Sequence, residues 1–189
     1  MGESGMGHER SGEHAMSKKR SRMDAHARFE RERRRNLLAQ PGPSDLILVL
    51  DHLKPGFNVA KIFRSAQAFG AREIHLIAIG PFDPAPAKGA LRAVPARFFG
   101  QLEESLRLLR SDDYCAFRML ADGGETLQTA RLPRRCALVL GHEEFGLSAA
   151  ALALPALSIA QYGPVQSLNV SVAASIAMYE YYRQHPLST

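Results

Sequence analysis

Three short strings in this chain put reactive or ligand-binding residue types at spacings that could bring them together. The first is Lys54-Pro55-Gly56-Phe57-Asn58, running into Val59-Ala60-Lys61-Ile62-Phe63-Arg64. Asn58, Lys61 and Arg64 follow one another at helical spacing, while Val59, Ile62, Phe63, Ala66 and Phe69 share the opposite, apolar face. Such a polar edge can serve a ligand or be a solvated helix face. The second string is Leu140-Gly141-His142-Glu143-Glu144-Phe145-Gly146-Leu147-Ser148, two carboxylates in a loop flanked by glycines. Glycine permits positive φ and close approach of backbone to a ligand, although an ordinary strand-to-helix turn reads the same way. The third is Ser167-Leu168-Asn169-Val170-Ser171-Val172-Ala173. Here Ser167 or Asn169 can cap a helix whose small residues allow close packing.

The elements that must position these strings alternate between strand and helix. Apolar runs at Leu46–Leu50, Ile74–Ile79, Tyr114–Leu120, Cys136–Leu140 and Leu157–Ala160 read as buried strands. Asn58–Phe69 (closed by Gly70), Gln101–Arg110 and Leu168–Arg183 read as helices. Residues 82–100 read as irregular, because Pro84, Pro86, Gly89 and Pro95 interrupt any periodic pattern. The alternation predicts an α/β domain over residues 45–189, with a mostly parallel sheet flanked by helices. In such sheets ligands bind beyond the carboxyl ends of the strands, where all three strings fall.

Residues 1–44 differ in composition from the rest. They hold ten Lys/Arg against six Asp/Glu, a net of +4, whereas residues 45–189 hold fourteen against thirteen, a net of +1. The first sixteen offer almost nothing to bury and read as disordered, and residues 17–36 read as a solvated helix at most. The segment is predicted to be a flexible basic arm, ended by Pro41-Gly42-Pro43, that either contacts phosphates or solubilises the chain.

Several function classes are disfavoured. No apolar run reaches the roughly 18 residues that span a bilayer, and the N-terminus lacks the apolar stretch of a secretory signal, so a cytoplasmic protein is expected. Cys115 and Cys136 both lie in apolar runs and are expected to be buried free thiols. The seven histidines show no paired ligand spacing, so no metal site is expected. No G-x-x-x-x-G-K-[ST] loop is present, and Lys54-Pro55-Gly56 stands where a dinucleotide-binding G-x-G-x-x-G would begin.

Taken together and in order, the three strings resemble the motifs of the SpoU/TrmH branch of the SPOUT methyltransferases. That pattern has an Asn followed six residues later by Arg, then G-x-E-x-x-G-L-S, then S-L-N-V-S-V-A. It is matched by Asn58 and Arg64, by Gly141–Ser148 and by Ser167–Ala173, and the resemblance covers roughly residues 45–184. Three departures stand out: Gly56 and Phe57 both intervene between Pro55 and Asn58, His142 replaces a common Asn or Ser, and Ala160 replaces a common Pro.

The resemblance implies a C-terminal trefoil knot, a homodimer, and S-adenosyl-L-methionine as the donor for methylation of a ribose 2′-hydroxyl in tRNA or rRNA. It implies that Leu140, Gly141, Ile159, Ser167 and Leu168 contact the cofactor. Arg64 would approach the target ribose in the dimer, more as an electrostatic clamp than as a base, since guanidinium stays charged. Glu143 would orient Arg64, Asn58 or the cofactor loop, and Asn169 would fix the knot turn. Methylation of an RNA base and a non-catalytic RNA-binding relative are the competing readings.

Overall fold

The structure is a computed structural model that describes residues 23–187. Its centre is a seven-stranded sheet in the order β3-β2-β1-β6-β4-β7-β5, in which every pairing is parallel. The strands are β1 (Leu46–Asp51), β2 (Glu73–Ile77), β3 (Ala96–Phe99), β4 (Cys115–Leu120), β5 (Glu125–Thr126), β6 (Cys136–Gly141) and β7 (Ala156–Ser158). All six residues of β1 are buried, as expected of a central parallel strand covered on both faces.

Alternation along β1 divides the interior into two cores. Leu46, Leu48 and Leu50 face helices α2 (Phe57–Ala68) and α4 (Val170–Gln184), while Ile47 and Val49 face α3 (Leu102–Ser111). On the α3 side, His75 is completely buried between Ser105 Oγ at 2.6 Å and Glu73 at 2.9 Å, and Arg97 closes the cluster at 3.1 Å from Glu73. Burial alone would raise the Glu73 carboxyl, but His75 and Arg97 outweigh it and hold the group below the usual range.

Helix α2 ends as its sequence predicts. Gly70 adopts φ 66°, the Ala71 N–H reaches the Ala66 carbonyl and the Gly70 N–H that of Gln67, which stops the helix and turns the chain into β2. The long last helix starts two residues later than predicted, because Asn169 is the residue that caps it.

Three features differ from the sequence reading. Residues 82–100 contain strand β3 and two 3₁₀ turns, Ala85–Ala87 and Ala90–Arg92. The four residues of β3 follow Pro95 directly and are too few to show a periodic signal. Strand β5 is shorter still. Cys136 is buried as expected, but Cys115 is exposed. It opens β4 opposite Cys136, and β7 covers the other edge only from Arg118 onward.

The basic segment also behaves differently where it is described. Residues 23–36 form a helix, α1, that docks on the domain instead of standing in solvent. Phe29 is 1% exposed and meets Phe82 edge-on at 5.0 Å. Asn36 is buried, donates to the carbonyls of Leu91 and Val94, and accepts from the Ala96 N–H. Phe29 and Asn36, with Arg28 paired to Asp83 at 3.3 Å and Arg33 over the Phe98 ring, thus seat a helix whose Arg31, Arg33, Arg34 and Arg35 remain exposed. The predicted disorder of residues 1–16 and the start of the basic run lie outside the described residues.

Candidate active site

The carboxyl ends of β4, β6 and β7 open onto a cavity of about 560 Å³. Leu140 and Gly141 reach it from the end of β6, Ile159 from just beyond β7, and Ser167 and Leu168 from the turn before α4. All five residues expected to contact a cofactor therefore line one space, together with Glu143 and Asn169.

The loop after β6 is closed by its own backbone. His142 and Gly146 exchange hydrogen bonds at 2.8 and 2.9 Å. An added Cβ on Gly141 would lie 2.6 Å from the Gly146 carbonyl, so only glycine fits there. His142 Nδ1 accepts the N–H groups of Glu144 at 3.0 Å and Phe145 at 3.3 Å, and its ring packs against Phe145. This is the turn-closing role that an Asn side chain plays in an Asx turn, which explains how histidine substitutes at this position.

A chain of side-chain hydrogen bonds joins the three strings. Asn58 Nδ2 donates to Glu143 Oε1 at 2.7 Å, and the Lys54 N–H donates to Glu143 Oε2 at 3.3 Å. Asn169 Nδ2 donates to Asn58 Oδ1 at 3.2 Å, while Asn169 Oδ1 caps α4 by accepting from the Ser171 N–H at 3.0 Å. Both amide orientations follow from the ends of the chain, since a carboxylate only accepts and a backbone N–H only donates. Glu143 thus engages Asn58 and the backbone, and no bond from it to Arg64 is present among the described residues. Burial alone would raise the Glu143 carboxyl, but the Asn58 amide and the backbone N–H groups of Glu143 and Lys54 hold it below the usual range, with His142 adding to this.

Arg64 is placed elsewhere. It is exposed on α2 and lines a separate groove with Lys61 and Ser65, facing Ser171, Val172 and Ser175 of α4. Ser65 and Ser175 are bonded across the two helices at 2.8 Å. The cavity and Arg64 are therefore not brought together within one chain.

Two residues that the strings do not contain also shape the site. Asp51, fully buried at the end of β1, accepts the Ser148 N–H at 2.7 Å and pairs with His52 Nδ1 at 2.6 Å, which fastens the glycine loop to the central strand. An acidic residue closing an apolar strand was the available signal. Gln161 also lines the cavity, anchored by Nε2 on the Ala121 carbonyl at 3.1 Å, and nothing in its sequence context marks it. Among the described residues no group of His, Cys, Asp and Glu could hold a metal ion, and no helix is long and apolar enough to cross a membrane.

The depressed titration of Glu143 predicts a pH dependence of stability. Its folded-state value lies below the 4.5 of a free carboxyl, so its contribution is fully present above that value and fades as pH falls through the lowered one. The stability difference between the wild type and Glu143→Gln is expected to be constant above about pH 5.5 and to shrink below about pH 4.5 in urea titrations. A difference that grew on acidification would show that the carboxylate is not held by these donors.

Residues 45–179 match the model of the SpoU rRNA Methylase family. The chain is 36% identical over 156 residues to the 23S rRNA (guanosine-2′-O-)-methyltransferase RlmB of Nitrosomonas europaea, covering 76% of this chain and 58% of that protein's length. It is 32% identical over 167 residues to the tRNA (guanosine(18)-2′-O)-methyltransferase of Thermus thermophilus, covering 83% of this chain and 84% of the relative. Among solved structures it is similar to the SpoU methyltransferase AviRb of Streptomyces viridochromogenes in complex with the cofactor AdoMet. That likeness has a TM-score of 0.70 and 25% identity, over 78% of this chain and 61% of that one. With its motifs, its parallel sheet and the family match over most of its length in agreement, the chain belongs to the SpoU rRNA methylase family.

Proposed function

We propose that the protein is an S-adenosyl-L-methionine-dependent methyltransferase that modifies a ribose 2′-hydroxyl in tRNA or rRNA. The observation that carries this reading is the convergence of three sequence-distant loops on one cavity, locked by the Glu143–Asn58–Asn169 chain. Two relatives are named as guanosine 2′-O-methyltransferases, one for 23S rRNA and one for tRNA, and AviRb binds AdoMet in its own structure.

The residues present suit the cofactor. Leu120, Leu140, Ile159 and Leu168 supply apolar walls, and the acidic Glu143 and Glu144 suit a ligand bearing positive charge. Gln161 Oε1 is a buried polar atom in the same lining with no partner in the protein, as expected where a ligand completes the bonding. Leu140, Gly141, Ile159, Ser167 and Leu168 are the residues that would hold it. When bound, S-adenosyl-L-methionine supplies an electrophilic methyl carbon on a sulfonium.

The chain's own contribution is mainly positional. Asn58 and Glu143 keep the loop after β6 in one place relative to α2, and Asn169 keeps the turn before α4 in register with both. Holding reactants in line lowers a barrier without any proton transfer by the protein. Arg64 cannot act as a base at ordinary pH, because guanidinium remains protonated. Its role is to clamp a phosphate of the RNA and to stabilise negative charge as the hydroxyl loses its proton to solvent water.

Arg64 must then come from a second copy of the chain. The groove that holds it continues along α4 through Val172, Ile176 and Tyr179, apolar side chains that stay substantially exposed among the described residues. Pairing of two such faces buries them and carries each Arg64 towards the other subunit's cavity. The family membership also supports a trefoil knot in the C-terminal part, formed by the chain around β7 and α4.

Incubation with undermethylated RNA and labelled cofactor, followed by mapping of ribose methylation, is expected to show a new 2′-O-methyl group. Arg64→Ala should abolish transfer while calorimetric cofactor affinity stays within about threefold, and a collapse of affinity would refute the clamp role. Sedimentation equilibrium should give twice the 20.8 kDa chain mass, and Ile176→Asp should give a monomer. A wild-type monomer retaining full activity would exclude the trans arginine. When the unfolded chain is pulled from both ends, a knot should leave its contour shorter than the roughly 3.3–3.6 Å per residue of a free chain. The full length would show that no knot is present.

A further inference from the structure

Among the described residues, three buried side-chain polar atoms have no hydrogen-bond partner: Arg118 Nε, Ser148 Oγ and Gln161 Oε1. Arg118 and Gln161 line the same cavity, and the Gln161 amide has a defined orientation. Its Nε2 donates to the Ala121 carbonyl at 3.1 Å, at the end of β4. A carbonyl can only accept, so the nitrogen must face it and the unpartnered atom is an acceptor. Burying an acceptor without a donor is costly, and folded proteins seldom leave one in that state without a reason.

The surroundings select the kind of donor. The Ala121 contact and the position two residues past Ile159 put Gln161 where β4 and β7 end, beside the apolar Leu120 and Ile159, with Arg118 three residues before Ala121. The carboxylates of the cavity, Glu143 and Glu144, belong to the loop after β6 and are the groups that would draw an ammonium or a sulfonium. A neutral amide oxygen beside apolar walls is matched instead by a neutral amine on a flat ring.

We infer that Gln161 is a specificity-determining residue, whose Oε1 accepts a hydrogen bond from the exocyclic 6-amino group of the cofactor's adenine ring. The inference rests on the reading of the cavity as the S-adenosyl-L-methionine site. A 6-oxo purine would place an acceptor against an acceptor, and Gln161 could accommodate it only by turning its amide and giving up the bond to Ala121.

Calorimetric titration with S-adenosylhomocysteine and S-inosylhomocysteine tests this, for the wild type and for Gln161→Met. The wild type is expected to bind the adenosyl compound roughly tenfold more tightly or better. Gln161→Met, which removes the acceptor at similar length, should lose roughly tenfold towards the adenosyl compound and stay within about threefold towards the inosyl one. A wild type without preference, or a variant that weakens equally towards both, overturns the inference and leaves the cavity reading intact. A wild type that binds neither compound overturns both. The wild-type comparison needs no variant, and thermal melting shows whether Gln161→Met is folded.

Discussion

The hydrogen-bond chain from Glu143 through Asn58 to Asn169 is the interaction on which the site depends, because its members come from loops more than a hundred residues apart at the extremes. Each loop alone has weak reasons to stay where it is. The segment before α2 has no side-chain cap, the loop after β6 is a tight turn around glycines, and the turn before α4 is held by one Asn. Joined, they constrain one another: the carboxylate fixes the Asn58 amide, which fixes the Asn169 amide, whose oxygen then starts α4. Asp51 adds a fourth attachment by tying Ser148 to the end of β1. The cavity is therefore shaped by a connected polar frame around apolar walls, and such networks are most useful when every member is satisfied.

Much of this architecture is visible in the residues themselves, for identifiable reasons. The apolar runs of β1 and β6 can only be buried strands, and Gly70 marks the end of α2 because only glycine sits comfortably at its φ of 66°. The three strings are readable because their polar residues break an otherwise apolar pattern. By contrast, β3 and β5 are defined by their neighbours' unpaired edges, not by any preference of their own. The docking of α1 was hidden for a similar reason. One Phe and one Asn in a highly charged stretch give no periodic signal, yet the pocket formed by Phe82, Phe98 and the Leu91–Ala96 backbone receives both. Gln161 was illegible because its meaning depends on which carbonyl its amide nitrogen meets.

The separation of Arg64 from the cavity gives the site a division of labour. The cavity carries Arg118 and His142 beside its apolar and acidic residues, while Arg64 lies on another face beside Lys61. Keeping the Arg64 guanidinium exposed spares it the cost of desolvation.

The pairing of β1 with β6 has a consequence for how the protein is made. Leu46 lies against Cys136, so these two central strands are joined only after the chain between them has been synthesised. Contacts of such sequence separation are slow to form, since loop closure must precede the burial that rewards it. During translation β1 can pair with β2 early, but its other edge stays open until β6 emerges from the ribosome. That open apolar edge is the point at which a nascent chain of this kind is most exposed to mispairing and most in need of a chaperone.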